Sequence, residues 1–402
     1  MSSSKRSCVN KLLAASLVSS ALALLTASCQ AHTPRGSQSG PPLFTPAQGS
    51  PLKIGSNPNE IAAGDWNKDG RLDIVTCNAD DTVTVLLGDG RGGFAPAPGE
   101  PMKVAAHLVA AGDVNNDGKI DLALTHHDSF GVIVLLGSGD GRFAPAPGSP
   151  FAAHQGTKAH NHGLTFSDLN SDGNLDITTS NQDDNSVSVL LGDGRGGFAP
   201  AAGSPFPVGR APYPHAVSDV NGDGRPDIIT PDVGSGTVSV LLGDGRGGFT
   251  AAAKSPYAVA SRPYYVAVGD VNGDGSRDVI TTHDDISLVT TLLGDGRGGF
   301  APAPHSPFDL GRQPYEIAAA DINGDARMDL IVGAAGNNSL NVLLSDERGG
   351  YTHAGGSPYA AGGNPRAVTG DVNGDGKLDL ITASNESADI NVWLGVKAAA
   401  GR

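Results

Sequence analysis

Cysteine is nearly absent from this chain: Cys8, Cys29 and Cys77 are the only three in 402 residues. Cys77 alone lies beyond the N-terminal leader, so no internal disulfide can staple the body of the protein. Aromatic residues make up 5% of the chain, which leaves little for a surface that stacks sugars or bases. Basic residues are also few, with 27 Lys and Arg against 42 Asp and Glu and a formal charge of −15. Phosphate binding needs a basic face, so nucleic acid is excluded as a partner. No long amphipathic helical pattern is present. Catalytic signatures are missing too: there is no Gly-x-Ser-x-Gly elbow and no His-Glu-x-x-His.

The chain does have turn formers, with 57 Gly and 27 Pro. It also has one nine-residue stretch in seven copies, of which Asp371-Val-Asn-Gly-Asp-Gly-Lys-Leu-Asp379 is the fullest. Oxygen-bearing side chains stand at positions one, three, five and nine, and Gly stands at six. Such alternation along a tight turn converges hard oxygens on one point, as calcium requires. The candidate ligands are Asp65, Asn67, Asp69 and Asp73; Asp113, Asn115, Asp117 and Asp121; Asp168, Asn170, Asp172 and Asp176; Asp219, Asn221, Asp223 and Asp227; Asp270, Asn272, Asp274 and Asp278; Asp321, Asn323, Asp325 and Asp329; and Asp371, Asn373, Asp375 and Asp379. Position seven varies and is expected to offer only its backbone carbonyl. The alternative for each copy is an Asx-rich turn that needs no ion; seven matching copies favour up to seven calcium ions. Three Asp per loop account for 21 of the 42 acids, and seven divalent ions would nearly cancel the −15.

The loops start 48, 55, 51, 51, 51 and 50 residues apart, a period that marks a repeat architecture. Each unit has one grammar. Small residues such as Val266-Ala-Val-Gly269 precede the loop, and a β-branched run such as Asp227-Ile-Ile-Thr230 follows it. An alternating strand comes next, such as Thr82-Val-Thr-Val-Leu-Leu87, then a Gly-rich turn and Phe-Ala-Pro-Ala-Pro, whose prolines suit an outer edge. Four strands repeated seven times predict an all-β, seven-bladed β-propeller over residues 41–396 with four-stranded blades. The seventh unit lacks its last strand, and a matching piece, Leu43-Phe-Thr-Pro-Ala-Gln-Gly-Ser-Pro51, lies before the first. This N-terminal strand is expected to complete the last blade and close the ring. The Gly88-x-Gly90-x-x-Gly93 spacing is not a dinucleotide fingerprint, because proline follows where a helix would be needed.

On these residues the chain resembles the FG-GAP/VCBS repeat proteins, whose best-known relatives are the seven-bladed heads of integrin α chains. The resemblance covers Leu43 to about Val396. It implies that each loop joins the first two strands of a blade and binds calcium. It also permits a lectin with sugar sites between blades. One loop departs from the pattern, with Ala326 at position six. A positive φ there would make this copy the weakest site. The integrin stalk and membrane helix are absent.

Residues 1–29 read as a signal, with Lys5, Arg6 and Lys11 before a mostly apolar run from Leu12 to Leu25. Thr26-Ala-Ser-Cys29 resembles a bacterial lipoprotein cleavage site, although Leu is usual where Thr26 stands. Cys29 is the expected lipidation site. Residues 30–40 read as a flexible tether and 397–402 as a tail. The expectation is an exported, monomeric protein of the cell envelope or surface, otherwise secreted or periplasmic. It would meet a membrane only through its lipid.

Six of the eleven histidines fall between His107 and His162. His107 and His162 stand six residues before their loops, and Tyr213, Tyr264 and Tyr315 hold that place in later units. With the calcium loops at one end of the ring, these residues mark the other. His126, His127, Asp232, His283 and Asp284 follow second strands and are expected at that same end. One face thus gathers a candidate ligand surface of His107, His126, His162, Tyr213, Tyr264, His283 and Tyr315, for a protein or glycan. Plain rim polarity is the alternative. Another is a transition-metal or hydrolase or lyase site using His107, His126, His160 and His162. Glu60 and Glu316, five residues before their loops, are rim or sugar contacts.

Overall fold

The computed structural model describes residues 41–54, 56–153 and 160–396. The expected leader with Cys29, the expected tether at 30–40 and tail at 397–402, and His154 lie outside the described residues. Within them the protein is all-β apart from one 3-10 turn at Ala335–Asn337. Seven antiparallel sheets follow one another along the chain.

Blade 1 shows how sequence sets position. Its first strand, Pro58–Gly64, ends in the small residues Ala62, Ala63 and Gly64 and is partly buried. The second, Asp73–Asn78, is buried throughout, which its Ile-Val-Thr-Cys run permits. The third, Thr82–Gly88, alternates Thr and Val and pairs Val85 with Val75. The outer strand comes in two pieces. Phe94–Pro96 pairs with the end of the third strand, and Met102–Lys103 pairs with its start. Between the pieces lies a cis Glu100–Pro101 bond, and all seven blades have a cis X-Pro bond at this place. The prolines do sit on outer edges, as their missing N–H requires.

The apolar cores lie between blades. Val75, Val83 and Val85 of blade 1 pack on Leu122 and Leu124 of blade 2. Six more clusters repeat this around the ring, and the last joins Ile381, Ile390 and Val392 to Ile61 and Ile74 of blade 1. Each first strand neighbours the next, and the seventh, Pro365–Gly370, neighbours the first. Closure follows the permuted pattern. Phe44–Pro46 pairs with Asp389–Gly395, setting Phe44 opposite Gly395 and Pro46 opposite Trp393. Leu52 and Lys53 continue opposite Ile390 and Asp389.

One blade makes a repeated contact with a different side chain. In six blades the Ser before the cis proline accepts the N–H of a mid-strand residue, at 2.8–3.0 Å: Val134, Val189, Val240, Thr291, Val342 and Val392. Blade 1 has Glu100 there. Burial pushes its carboxyl up to about 7, although the N–H groups of Val85 and Met102 pull it down. The folded pKa therefore lies above the unfolded one. The protonated folded form holds more protons, so stability falls as pH rises from about 4.5 to about 7. Glu100→Ser should remove this loss, adding about 1 kcal/mol at pH 8 after allowance for partial exposure and little at pH 4. Urea unfolding at both pH values checks it; an equal gain at both would contradict the assignment.

Candidate functional site

The ring has two distinct ends, set by the direction of the first strands. Each strand leads into an Asp-rich loop at one end and starts roughly 20 Å away at the other.

At the loop end, one hydrogen-bond set recurs in every blade, except that the bond from the fourth residue's N–H is made only in blades 4 to 7. In the last, Asp371 Oδ1 accepts the N–H of Gly374 at 2.7 Å and of Asp375 at 3.1 Å, while Oδ2 accepts that of Gly376 at 2.7 Å. Asn373 Oδ1 accepts the Asp375 N–H at 2.9 Å, and Asp375 Oδ1 accepts the Lys377 N–H at 3.0 Å. Asp379 is fully buried and accepts from Val372 at 2.9 Å and Gly395 at 2.7 Å. The ninth Asp thus pins the loop to the end of the third strand.

These loops suit a hard cation. The side chains at one, three, five and nine present carboxyl and amide oxygens, and several of these, such as Asp371 Oδ2 and Asn373 Oδ1, accept one N–H and keep a second lone pair. Burial pushes the ninth carboxyl up to about 6 in Asp176, Asp227, Asp278 and Asp329, and the loop's other acids push it further. That repulsion is what a divalent ion would relieve. As placed, no three His, Cys, Asp or Glu side chains among the described residues stand at metal-holding spacing. To hold an ion, the side chains would have to rotate and bring these oxygens inward. Position seven does more than sequence reading assigned to it. Where basic, it pairs with the Asp at five: Arg71–Asp69 3.4 Å, Lys119–Asp117 3.1 Å, Arg225–Asp223 3.8 Å, Arg327–Asp325 2.5 Å and Lys377–Asp375 2.6 Å.

Position six is left-handed in all copies, with Gly at φ 76 to 86° and Ala326 at 69°. Ala326 therefore carries the steric cost that Gly avoids. Ala326→Gly should stabilise the protein by about 1 kcal/mol, read as a shift in denaturant midpoint. An unchanged midpoint would mean that the loop relaxes around the methyl group.

At the other end, side chains from the starts of the first strands meet around the axis. His107 lies 3.7 Å from His127 between ring centroids, and His127 lies 4.6 Å from His162. His162 stacks on Tyr213 at 4.0 Å and 13°. Tyr213 meets Tyr264 at 4.5 Å, and Tyr264 meets Tyr315 at 5.0 Å with hydroxyls 3.3 Å apart. Blade 7 contributes Arg366, whose guanidinium lies 4.8 Å from the Tyr315 ring centre and 5.3 Å from that of Tyr265. Arg366 pairs with Glu316 at 3.3 Å, donates to the Asn59 carbonyl at 3.0 Å and reaches the Tyr265 hydroxyl. The arc thus spans blades 2 to 7 and ties back to blade 1. Burial and neighbouring imidazoles push His107 and His162 down to about 3 and His127 to about 4, so all three are neutral at pH 7.

Of the residues proposed from sequence, His107, His162, Tyr213, Tyr264 and Tyr315 do come together at this end. His126 lies outside the arc, with Nδ1 accepting the Asp128 N–H at 3.2 Å; its neighbour His127 takes the place. His283 is fully buried, bonding Thr290 Oγ1 at 2.8 Å through Nε2. Asp232 is also buried, held by Thr237 and Ser239 at 2.9 and 2.7 Å. These residues end second strands inside the blade and cross-link it, so they do not reach the face. Asp284 is exposed on one side and grips Arg262 at 2.8 and 2.9 Å. Sequence reading missed Tyr265 and Arg366. Register shifts at the starts of the first strands of blades 1, 3, 5 and 6 break strict alternation. Consecutive residues such as Tyr264 and Tyr265 can then both reach the axis. Cys77 is buried on a second strand, as its place in the pattern predicts.

Fold and sites together define a seven-bladed β-propeller with repeated acidic loops. A model of the FG-GAP-like repeat matches residues 65–124, 113–179, 168–230, 219–281 and 270–332, and one of the FG-GAP repeat matches 314–360. The chain belongs to this FG-GAP repeat family. No curated protein sequence matches it. Among solved structures it is similar to BBS1N in complex with ARL6DN, at 11% identity and TM-score 0.62 over 89% of this chain and 99% of that one. An Agrocybe aegerita lectin, described by its recognition of non-reducing terminal N-acetylglucosamine, is 21% identical at TM-score 0.53, over 83% of this chain and 87% of the lectin. Virginiamycin B lyase from Staphylococcus aureus is 12% identical at TM-score 0.55, over 86% of this chain and 98% of the lyase. Likeness at these identities is likeness of fold.

Proposed function

We propose that this protein is an exported, calcium-stabilised docking module that binds a protein or glycan on the axial His/Tyr mouth. The observation that carries the reading is the unbroken aromatic arc from His107 to Tyr315, at the end away from the loops. Clustered, partly exposed rings with neutral imidazoles make a contact surface of large area and low entropy cost. The loops hold up to seven calcium ions and keep the ring rigid, and the leader exports the chain with Cys29 as its lipid anchor. The lectin neighbour, whose name carries a sugar specificity, supports trying glycans first. The test is a glycan array and a partner pull-down with the native protein and with Tyr213→Ala/Tyr264→Ala. The expected result is capture by the native protein and at least about tenfold weaker capture by the variant, a loss of about 1.4 kcal/mol. Equal capture by both would move the site elsewhere. Turnover in a hydrolase and lyase panel would replace docking with catalysis at the same mouth.

A further inference from the structure

Just inside the mouth lies a cavity of about 190 Å³. Leu108, Val109, Leu164 and Pro214 give it apolar walls, and Glu60 and Tyr265 also line it. His162 and His215 complete the lining, and burial holds them at about 3 and about 4, so neither is charged at neutral pH.

Glu60 is the exceptional member. The mouth brings together two carboxylates, Glu60 and Glu316, and one guanidinium, Arg366. Arg366 gives its hydrogen bonds to Glu316, the Asn59 carbonyl, and the hydroxyls of Tyr265 and Tyr315. Glu60 receives none of these; its bond is from the Ile61 N–H at 3.2 Å. Burial pushes the Glu60 carboxyl above its ordinary value, and the more distant charge of Arg366 opposes this without cancelling it. The cavity thus has apolar walls, an aromatic side and one carboxyl with no direct ion partner among the described residues. Burying such a group is costly until a counter-ion arrives.

We propose that this cavity binds a small organic cation, an ammonium on a short alkyl chain, with Glu60 as its counter-ion. The ammonium head sits against Glu60 and the ring of Tyr265, where cation–π attraction adds to the ion pair. The alkyl part covers Leu108, Val109, Leu164 and Pro214 and displaces water from them. An anion finds Arg366 already bonded to Glu316, the Asn59 carbonyl and two tyrosine hydroxyls. A bare metal cation makes no use of the apolar wall. The site adjoins the docking rim and shares His162 with it, but Tyr213 and Tyr264 do not line it.

The test titrates the folded protein with n-butylammonium chloride at pH 7.5 and fixed ionic strength, by calorimetry and by NMR. n-Butanol serves as the neutral isostere and butyrate as the anion. Expected are one saturable butylammonium site, butanol at least about tenfold weaker, and no butyrate binding. Glu60→Gln should weaken butylammonium by at least about tenfold and leave butanol unchanged. Overturning results are equal binding of butanol and butylammonium, an unaffected Glu60→Gln variant, or no saturable binding below about 50 mM. The isostere comparison needs no variant, so it stands even where Glu60→Gln does not fold. Butylammonium binding by Tyr213→Ala/Tyr264→Ala separates the two sites: it should persist while partner capture is lost.

Discussion

A chain that begins after Lys53 will melt at least about 10 °C below one that begins at Pro41, and it will self-associate. The segment 43–53 is the outer strand of the last blade. It buries Phe44 at 3% exposure and Ala47 at 4%. Phe44 lies 5.8 Å from the Tyr359 ring, edge to face. Backbone bonds tie it down at both ends, from Ala47 to the Val392 carbonyl at 2.9 Å and from Val396 to the Leu43 carbonyl at 2.8 Å. Losing one buried Phe costs about 3 to 5 kcal/mol, and the lost strand hydrogen bonds add to that. Truncation also bares the edge of Asp389–Gly395 along its full length, which invites pairing with a second chain. Calorimetry with light scattering checks both effects. The chain starting at Pro41 controls for loss of the leader and tether. A truncated chain that melts with the control and stays monomeric would refute the closure.

That closure was legible because a strand missing from one end of the sequence stood at the other. The shared turn geometry of the loops was legible for a similar reason: the same pattern stands in seven copies. The mouth was only half legible. Counting six residues back from each loop finds His107, His162 and the three Tyr, because first strands are of similar length. It cannot find Tyr265 or Arg366, since irregular register at strand starts depends on how the ring closes. Counting forward failed differently. The last residue of a second strand looks like a turn residue in sequence, yet in Asp232 and His283 it turns inward to hydroxyls of the third strand. His126 and His127 are adjacent and chemically equal, and only the backbone path decides which meets His107. The acid–base pairs inside the loops went unseen because a variable position reads as idle.

The central claim is that the acidic loops are cation sites on which the ring depends. Each loop joins the first two strands of its blade, and its ninth Asp reaches the third strand. An ion at that point would tie three strands together. Among small residues and glycines, burial alone gives those strand ends little. At calcium about 100 times the dissociation constant, one site adds about 2.7 kcal/mol. Several sites in one cooperative ring add on the order of 10 kcal/mol, and for a large domain this is about 20 °C in melting temperature. The direct measurement is the thermal melt of the purified protein in excess EDTA, then after calcium is restored above the chelator. The account predicts a fall of about 20 °C and full recovery with calcium. A melt that is the same with and without EDTA would contradict it.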